Sequence, residues 1–340
     1  LGNHLLENGF SLLFGAYFFR DEKLYEKSKY ILISELNEQI LKDGAHFELS
    51  PMYHQIILFR LLDCIQLVTL NNSWKKNELI SLFEQKASLM ISWLSNITYK
   101  NGNIPMVNDS TYNIAPKSKE LFNYARRLGI NRKDISLLDS GYRKINNKNY
   151  QLLIDVGSVG PNYQPGHAHS DTFNFEFIKG KNPIFVDAGV STYEKNKLRK
   201  TQRSTCSHNT VKIGSKNQTQ VWGGFRVAKR ARVISLLEKD NFIKATHDGY
   251  LRFGYKHERS FLWSSSKLII KDYVSKSTNN SATAFFHLHS SISKPKIQSF
   301  KVMLKPLKIF IEFKDASKIS INKYQLSEGF NKTKLAYLIK

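Results

Sequence analysis

Residues 166–178 read Gly166-His167-Ala168-His169-Ser170-Asp171-Thr172-Phe173-Asn174-Phe175-Glu176-Phe177-Ile178. From Thr172 the chain alternates, with Phe173, Phe175 and Phe177 set against Asn174 and Glu176, which is the two-residue period of a strand with unlike faces. Short segments of the same kind surround it: Gln151 to Val156 before it, then Ile184 to Asp187 and Thr210 to Ile213. Further candidates are Arg232 to Leu237, Phe242 to Thr246, Ser260 to Trp263, Leu268 to Ile270, Ala282 to His289 and Ile309 to Phe313. Gly, Asn or Pro turns separate the strands, and no helical pattern intervenes. That succession predicts an antiparallel β-sandwich.

Upstream the period is different. Leu6, Phe10, Leu13 and Tyr17 recur at helical spacing, as do Ile57, Leu61, Ile65 and Val68, and again Leu79, Leu82, Phe83, Leu89 and Trp93. Three or more amphipathic helices are expected, broken at Asp43-Gly44, at Ser50-Pro51 and near Asn71, with Ser73 as a candidate cap. A shorter helix is expected over Ser118 to Leu128. The polar segment Arg143 to Asn149 reads as the boundary, which gives a helical domain over residues 1–145 and a strand domain over 146–340.

The chain has 340 residues, enough for two cores. Aromatic residues make up 12% of it, and they sit in periodic runs, which excludes a disordered chain. No apolar stretch read from the sequence approaches a membrane span, so none is expected. Lys and Arg outnumber Asp and Glu by 51 to 28, a formal charge of +23 that favours anionic partners. The basic residues are scattered, with short clusters at Lys197 to Lys200 and Lys229 to Arg232. No basic helix or RNA-binding signature accompanies them, which argues against nucleic acid. Cys64 and Cys206 are the two cysteines, too few for a disulfide framework, and they leave the redox compartment open.

Residues two apart in an extended segment face one side, so His167 and His169 can share a site. An isolated His-x-His is equally an ordinary half-exposed pair at a strand start. Asp187 ends the apolar run Ile184-Phe185-Val186, where an unpaired carboxylate would be costly to bury, and His208 opens another strand. Two imidazoles and a carboxylate from neighbouring strands make a ligand set ordinary for zinc, although spacing this wide does not distinguish it from chance. At the other end, Asn3-His4 opens the first helix, and Tyr53 follows Ser50-Pro51-Met52. Taken alone, Asn3 is a helix cap and Tyr53 a core aromatic.

Several separated motifs together resemble the heparinase II/III family of polysaccharide lyases, with their alginate and oligoalginate lyase relatives. They are Asn3-His4-Leu5-Leu6, the run from Asp155 through Asp171, Phe185-Val186-Asp187-Ala188-Gly189-Val190, Arg203 through Thr210, and Trp222-Gly223-Gly224-Phe225-Arg226. The resemblance implies an incomplete (α/α) toroid followed by an antiparallel β-sandwich. It also implies cleavage of an acidic, uronate-containing polysaccharide by β-elimination. Asn3 and His4 then match the groups that neutralise the uronate carboxylate, and Tyr53 and His167 match the proton-transfer residues. His169, Asp187 and His208 match the ligands of a structural zinc ion. Arg203, Arg226, Tyr193 and His54 are candidate substrate contacts, since guanidinium groups grip carboxylates and sulfates in two-pronged fashion.

Known toroids hold more helices than fit before residue 145, and Leu1 is not an initiator Met, so an upstream segment is expected. The family implies export to the periplasm or beyond, and a composition heavy in Lys, Asn and Ile fits a bacterium. Two other functions share the fold and charge: a glycan-binding protein without turnover, and a factor that builds or processes surface polysaccharide such as capsule or O-antigen.

Overall fold

The structure is a computed structural model that describes residues 2–71, 73–74, 78–275, 281–305 and 307–340. The chain divides into two compact units. One comprises residues 1–104, 112–141 and 160–165, and the other 105–111, 142–159 and 166–340.

The first unit is helical, with α1 (Asn3–Phe19), α2 (Glu22–Gln39), α3 (Pro51–Leu70), α4 (Ile80–Ile97) and α5 (Ser118–Arg127). Local chemistry sets several of the ends. Asp21 caps α2 by accepting from the Leu24 amide, and Ser50 caps α3 by accepting from the Tyr53 amide, with Pro51 in the first turn. Asp43-Gly44 breaks the chain after α2: Asp43 accepts from the amides of Ala45 and Ser140, while Gly44 takes a positive φ of 86°. Any Cβ at Gly44 would strike the Leu89 carbonyl of α4, so only glycine fits. Ser73 does not cap α4, which begins at Ile80 with Leu79 in the cap position.

By length and composition alone, α3 is apolar enough to cross a membrane, contrary to the reading that no stretch reaches that length. Within this unit it is a core helix. Leu58, Leu61, Leu62, Cys64 and Ile65 are all buried at 1% exposure or less.

The second unit is built on antiparallel sheets. Strands Tyr142–Asn146, Tyr150–Asp155, Phe175–Lys179 and Asn182–Phe185 form one four-stranded meander. Val233–Lys239, Phe242–His247, His257–Trp263 and Leu268–Val274 form a second. The segment read as a polar boundary thus supplies the first strand, because Asn147 turns the chain back by accepting from the amides of Asn149 and Tyr150. Two three-stranded sheets follow, Phe286–His287 with Lys332–Ile339 and Ile321–Gly329, and Lys296–Gln298 with Lys301–Leu304 and Ile309–Glu312. A shared apolar core joins the sheets through Leu152, Ile154, Phe175, Ile243, Phe261 and Val302, among others.

The alternation around Phe175 has a different meaning from the one its sequence suggests. Phe173 lies in a turn at φ 70°, and the strand proper begins at Phe175. Both faces are buried. Glu176 Oε1 accepts from the amides of Met106 and Asp187 at 3.0 Å each, which offsets the cost of burying the carboxylate.

Candidate active site

In the helical unit, Asn3 is buried in the first turn of α1 and His4 beside it is exposed. Gly2 ahead of them accepts from Gln39 Nε2, and a Cβ there would lie 3.2 Å from Glu48 Oε1 and Gln164 Oε1. The start of α1 therefore adjoins the segment leading into α3, where Tyr53 sits half-buried in the first turn. His54, expected to touch substrate, is instead a core residue. Its Nε2 donates to the Met90 carbonyl, its Nδ1 accepts from the His46 amide, and its ring lies 4.4 Å from that of Trp93. Burial pushes its pKa down to about 3, so it stays neutral.

In the strand unit the loop Gly166–Asp171 gathers on one carboxylate that sequence reading passed over. Asp109 Oδ2 receives His167 Nδ1 at 2.8 Å and Arg199 Nη2 at 2.7 Å. Asp109 Oδ1 receives His169 Nε2 at 2.8 Å and Arg199 Nη1. Burial alone would raise the Asp109 pKa, but the Arg199 charge and the imidazole donors hold it well below the carboxylate range. Arg199 lies in the short helix α6 (Lys197–Gln202), which Asn196 caps by accepting from the Arg199 amide. That helix was legible only as a basic cluster. The guanidinium is buried against the edge-to-face pair of Tyr193 and Phe225, at 5.0 and 5.2 Å from their centroids.

Arg203 was expected to grip an anion, and the structure corrects this. Its side chain is buried and donates to the carbonyls of Gly166, Ala168 and Gly224, so it ties the histidine loop to the Gly224 turn. Burial and the nearby Arg199 charge lower its pKa to about 10. Tyr193 is half-buried with its ring 6.2 Å from that of His167, and Arg226 is exposed on the strand Arg226–Ala228.

His169 and His208 are fully buried with ring centroids 5.2 Å apart. His208 Nδ1 stands 2.7 Å from Asp187 Oδ2, which also receives Asn174 Nδ2 at 2.6 Å. Among the described residues the two remaining nitrogens, His169 Nδ1 and His208 Nε2, find no hydrogen-bond partner, and neither does Asp171 Oδ2. Burial lowers the His169 pKa to about 4, which leaves a neutral ring. For His208, burial is outweighed by the carboxylates of Asp187 and Asp171, and the pKa rises to about 9. Among the described residues no three such side chains close up as a metal-binding group, because Asp187 spends its oxygens on His208, Asn174 and the Gly189 amide. Buried imidazole nitrogens without a partner are nonetheless costly: His169 Nδ1 is a lone pair with no donor, and His208 Nε2 is an N–H with no acceptor unless a metal ion takes the place of its proton.

The class is thus a helical unit followed by antiparallel sheets, the latter carrying carboxylate-aimed imidazoles. Two family models match the chain: Heparinase II/III N-terminus over residues 1–136, and Heparinase II/III-like, C-terminal, over residues 129–337. Heparin-sulfate lyases of Bacteroides stercoris and Pedobacter heparinus are each 26% identical, over 87% and 82% of this chain. This chain spans about half of their length, 46% and 45%. A mutant of the heparan sulfate lyase HepC from Pedobacter heparinus superposes with TM-score 0.74 at 20% identity, over all of this chain and 57% of that one. A heparinase III crystal structure gives 0.72 at 18%, over all of this chain and 59% of that one. The chain belongs to the heparinase II/III-like family.

Proposed function

We propose that the protein is a polysaccharide lyase that cleaves an acidic, uronate-containing glycan of the glycosaminoglycan kind by β-elimination. The helical unit is then read as part of an (α/α) toroid and the strand unit as a β-sandwich. One observation carries the reading beyond family membership. Of the three clustered imidazoles, His169 and His208 have no exposed side-chain surface, whereas that of His167 is 11% exposed. A base or substrate-positioning group must be reachable, and His167 is the one that qualifies.

In such a reaction a base removes the C5 proton of the uronate. The C4–O bond breaks as a C4–C5 double bond forms, and the departing oxygen takes up a proton. Abstraction pushes a second negative charge onto the uronate carboxyl, so donors aimed at that group are the first requirement. Asn3 supplies an uncharged amide donor, with His4 beside it in sequence. Tyr53 acts as proton donor, acceptor or both, and His167 supplies the second proton-transfer or positioning group.

A zinc ion on His169, Asp187 and His208 would take up the two orphaned nitrogens, but Asp187 faces His208 Nδ1 and would have to leave that hydrogen bond and turn to reach an ion at Nε2. The ion would supply structural closure of the histidine loop.

Replacing Tyr53 by Phe tests the reading, because the backbone amide that caps α3 is retained. Loss of unsaturated product with unchanged circular dichroism and melting is expected, and wild-type turnover in Tyr53→Phe would remove Tyr53 from the chemistry.

A further inference from the structure

We propose that Asp109 is the positioning residue of this centre, and that one carboxylate fixes two neighbouring imidazoles in opposite tautomers. The catalytic consequence rests on the lyase reading above, whereas the tautomers do not.

The geometry makes the assignment. A carboxylate can only accept, so each imidazole nitrogen facing Asp109 must carry a proton. His167 faces it with Nδ1, which puts the lone pair of a neutral ring on Nε2. His169 faces it with Nε2, which puts the lone pair on Nδ1, the buried nitrogen that finds no hydrogen-bond partner among the described residues. The same carboxylate thus presents a proton acceptor at the ring that reaches solvent and an electron-pair donor at the fully buried one.

Asp109 is itself rigidly held. Its amide donates to the His167 carbonyl at 3.1 Å, and the Asn108 side chain accepts from the His169 amide at 3.3 Å while donating to the Tyr142 hydroxyl. The two loops are joined through backbone and side chain together. Asn108 sits at φ 54°, in the left-handed region that asparagine tolerates better than most residues.

Arg199 explains how an aspartate can do this without dominating the site electrostatically. Its two-pronged contact leaves the pair with no net charge, so the imidazoles receive direction rather than an added negative charge. The rings of Tyr193 and Phe225 on the guanidinium keep it in place. A buried ion pair present only for stability would not need to reach a histidine that opens to solvent, and pairs of that kind are weak stabilisers.

The experiment is heteronuclear NMR of the 15N-histidine-labelled protein at about pH 8.5, above the ordinary imidazole range. In the wild type, His167 must show the Nδ1–H pattern and His169 the Nε2–H pattern, with His167→Gln and His169→Gln assigning the signals. In Asp109→Asn the His167 signal is expected to move toward the Nε2–H form. There kcat on a uronate polysaccharide falls by roughly 10²- to 10⁴-fold, with KM changed by less than about threefold, the scale seen when a histidine's orienting aspartate is lost. Asp109→Glu, which keeps the carboxylate, recovers part of both. A wild-type spectrum with the proton of His167 on Nε2 overturns the proposal even if Asp109→Asn fails to fold. So does a folded Asp109→Asn with an unmoved tautomer or undiminished kcat. A wild type with the expected tautomers and no lyase activity upholds the assignment and overturns the reaction instead.

Discussion

Arg259 holds Asp272 through two parallel hydrogen bonds, Nε to Oδ1 at 2.7 Å and Nη2 to Oδ2 at 2.8 Å, and turns Nη1 onto the carbonyls of Phe173 and Asn209. The second meander is thereby tied to the two turns that flank the histidine centre. Burial works against ionisation of Asp272, but Arg259 and His257 hold its pKa below the usual carboxylate range. Arg259→Leu leaves that carboxylate with His257 Nε2 as its remaining donor, and takes from the Phe173 and Asn209 carbonyls the donor that Arg259 supplies. The Arg259 guanidinium is buried but Asp272 is partly open to solvent, so the expected loss in urea unfolding is about 2–3 kcal/mol, set mainly by the buried donors and acceptors left unpaired. A loss below about 1 kcal/mol would show the tie to be dispensable.

The neutral core histidine His54 makes the stability depend on pH. In the unfolded chain it takes up a proton near pH 6.5, whereas in the folded chain it does so only near 3. Below 6.5 the unfolded state therefore binds more protons, and stability drains away as pH falls toward 3. From pH 6.5 to 5 this single residue costs about 2 kcal/mol, at roughly 1.4 kcal/mol per unit. Urea titrations at several pH values should show the slope reduced by that amount in His54→Gln. An unchanged slope would mean that His54 is protonated in the fold.

Arg203 bridges three carbonyls that a lysine cannot reach together. Arg203→Lys should cost about 1–3 kcal/mol and should expose the peptide around Gly166 to limited proteolysis. Equal cleavage rates in wild type and variant would contradict the clamp.

The orphaned nitrogens of His169 and His208 predict about one equivalent of zinc per chain by elemental analysis, and His208→Ala should lose most of it along with melting temperature. Metal-free protein that melts and turns over normally would refute the ion.

The sequence shows most where periodicity survives burial. The helical runs of Leu6 to Tyr17 and Ile57 to Val68 lie in α1 and α3, and Gln151 to Val156 is offset by one residue from the strand Tyr150–Asp155. It misleads where a polar residue is paid for by a partner distant in sequence. Arg199 reads as surface charge, and Arg203 and His54 as substrate contacts, because their partners lie 90, 37 and 36 residues away. Asp109 sits in the loop of residues 105–111, where no period marks it. The one available cue was Asn108-Asp109-Ser110, a polar triplet whose members are all 5% exposed or less.

The most direct measurement is absorbance of the unsaturated uronate after the protein is incubated with a panel of acidic polysaccharides: heparan sulfate, hyaluronate, alginate and bacterial capsular glycans. The elimination reaction predicts a rising signal on at least one of them, abolished in Tyr53→Phe and sharply reduced in His167→Ala. Retention of a polysaccharide by the folded protein, with no unsaturated product from any member of the panel, would contradict it and leave a glycan-binding protein in its place.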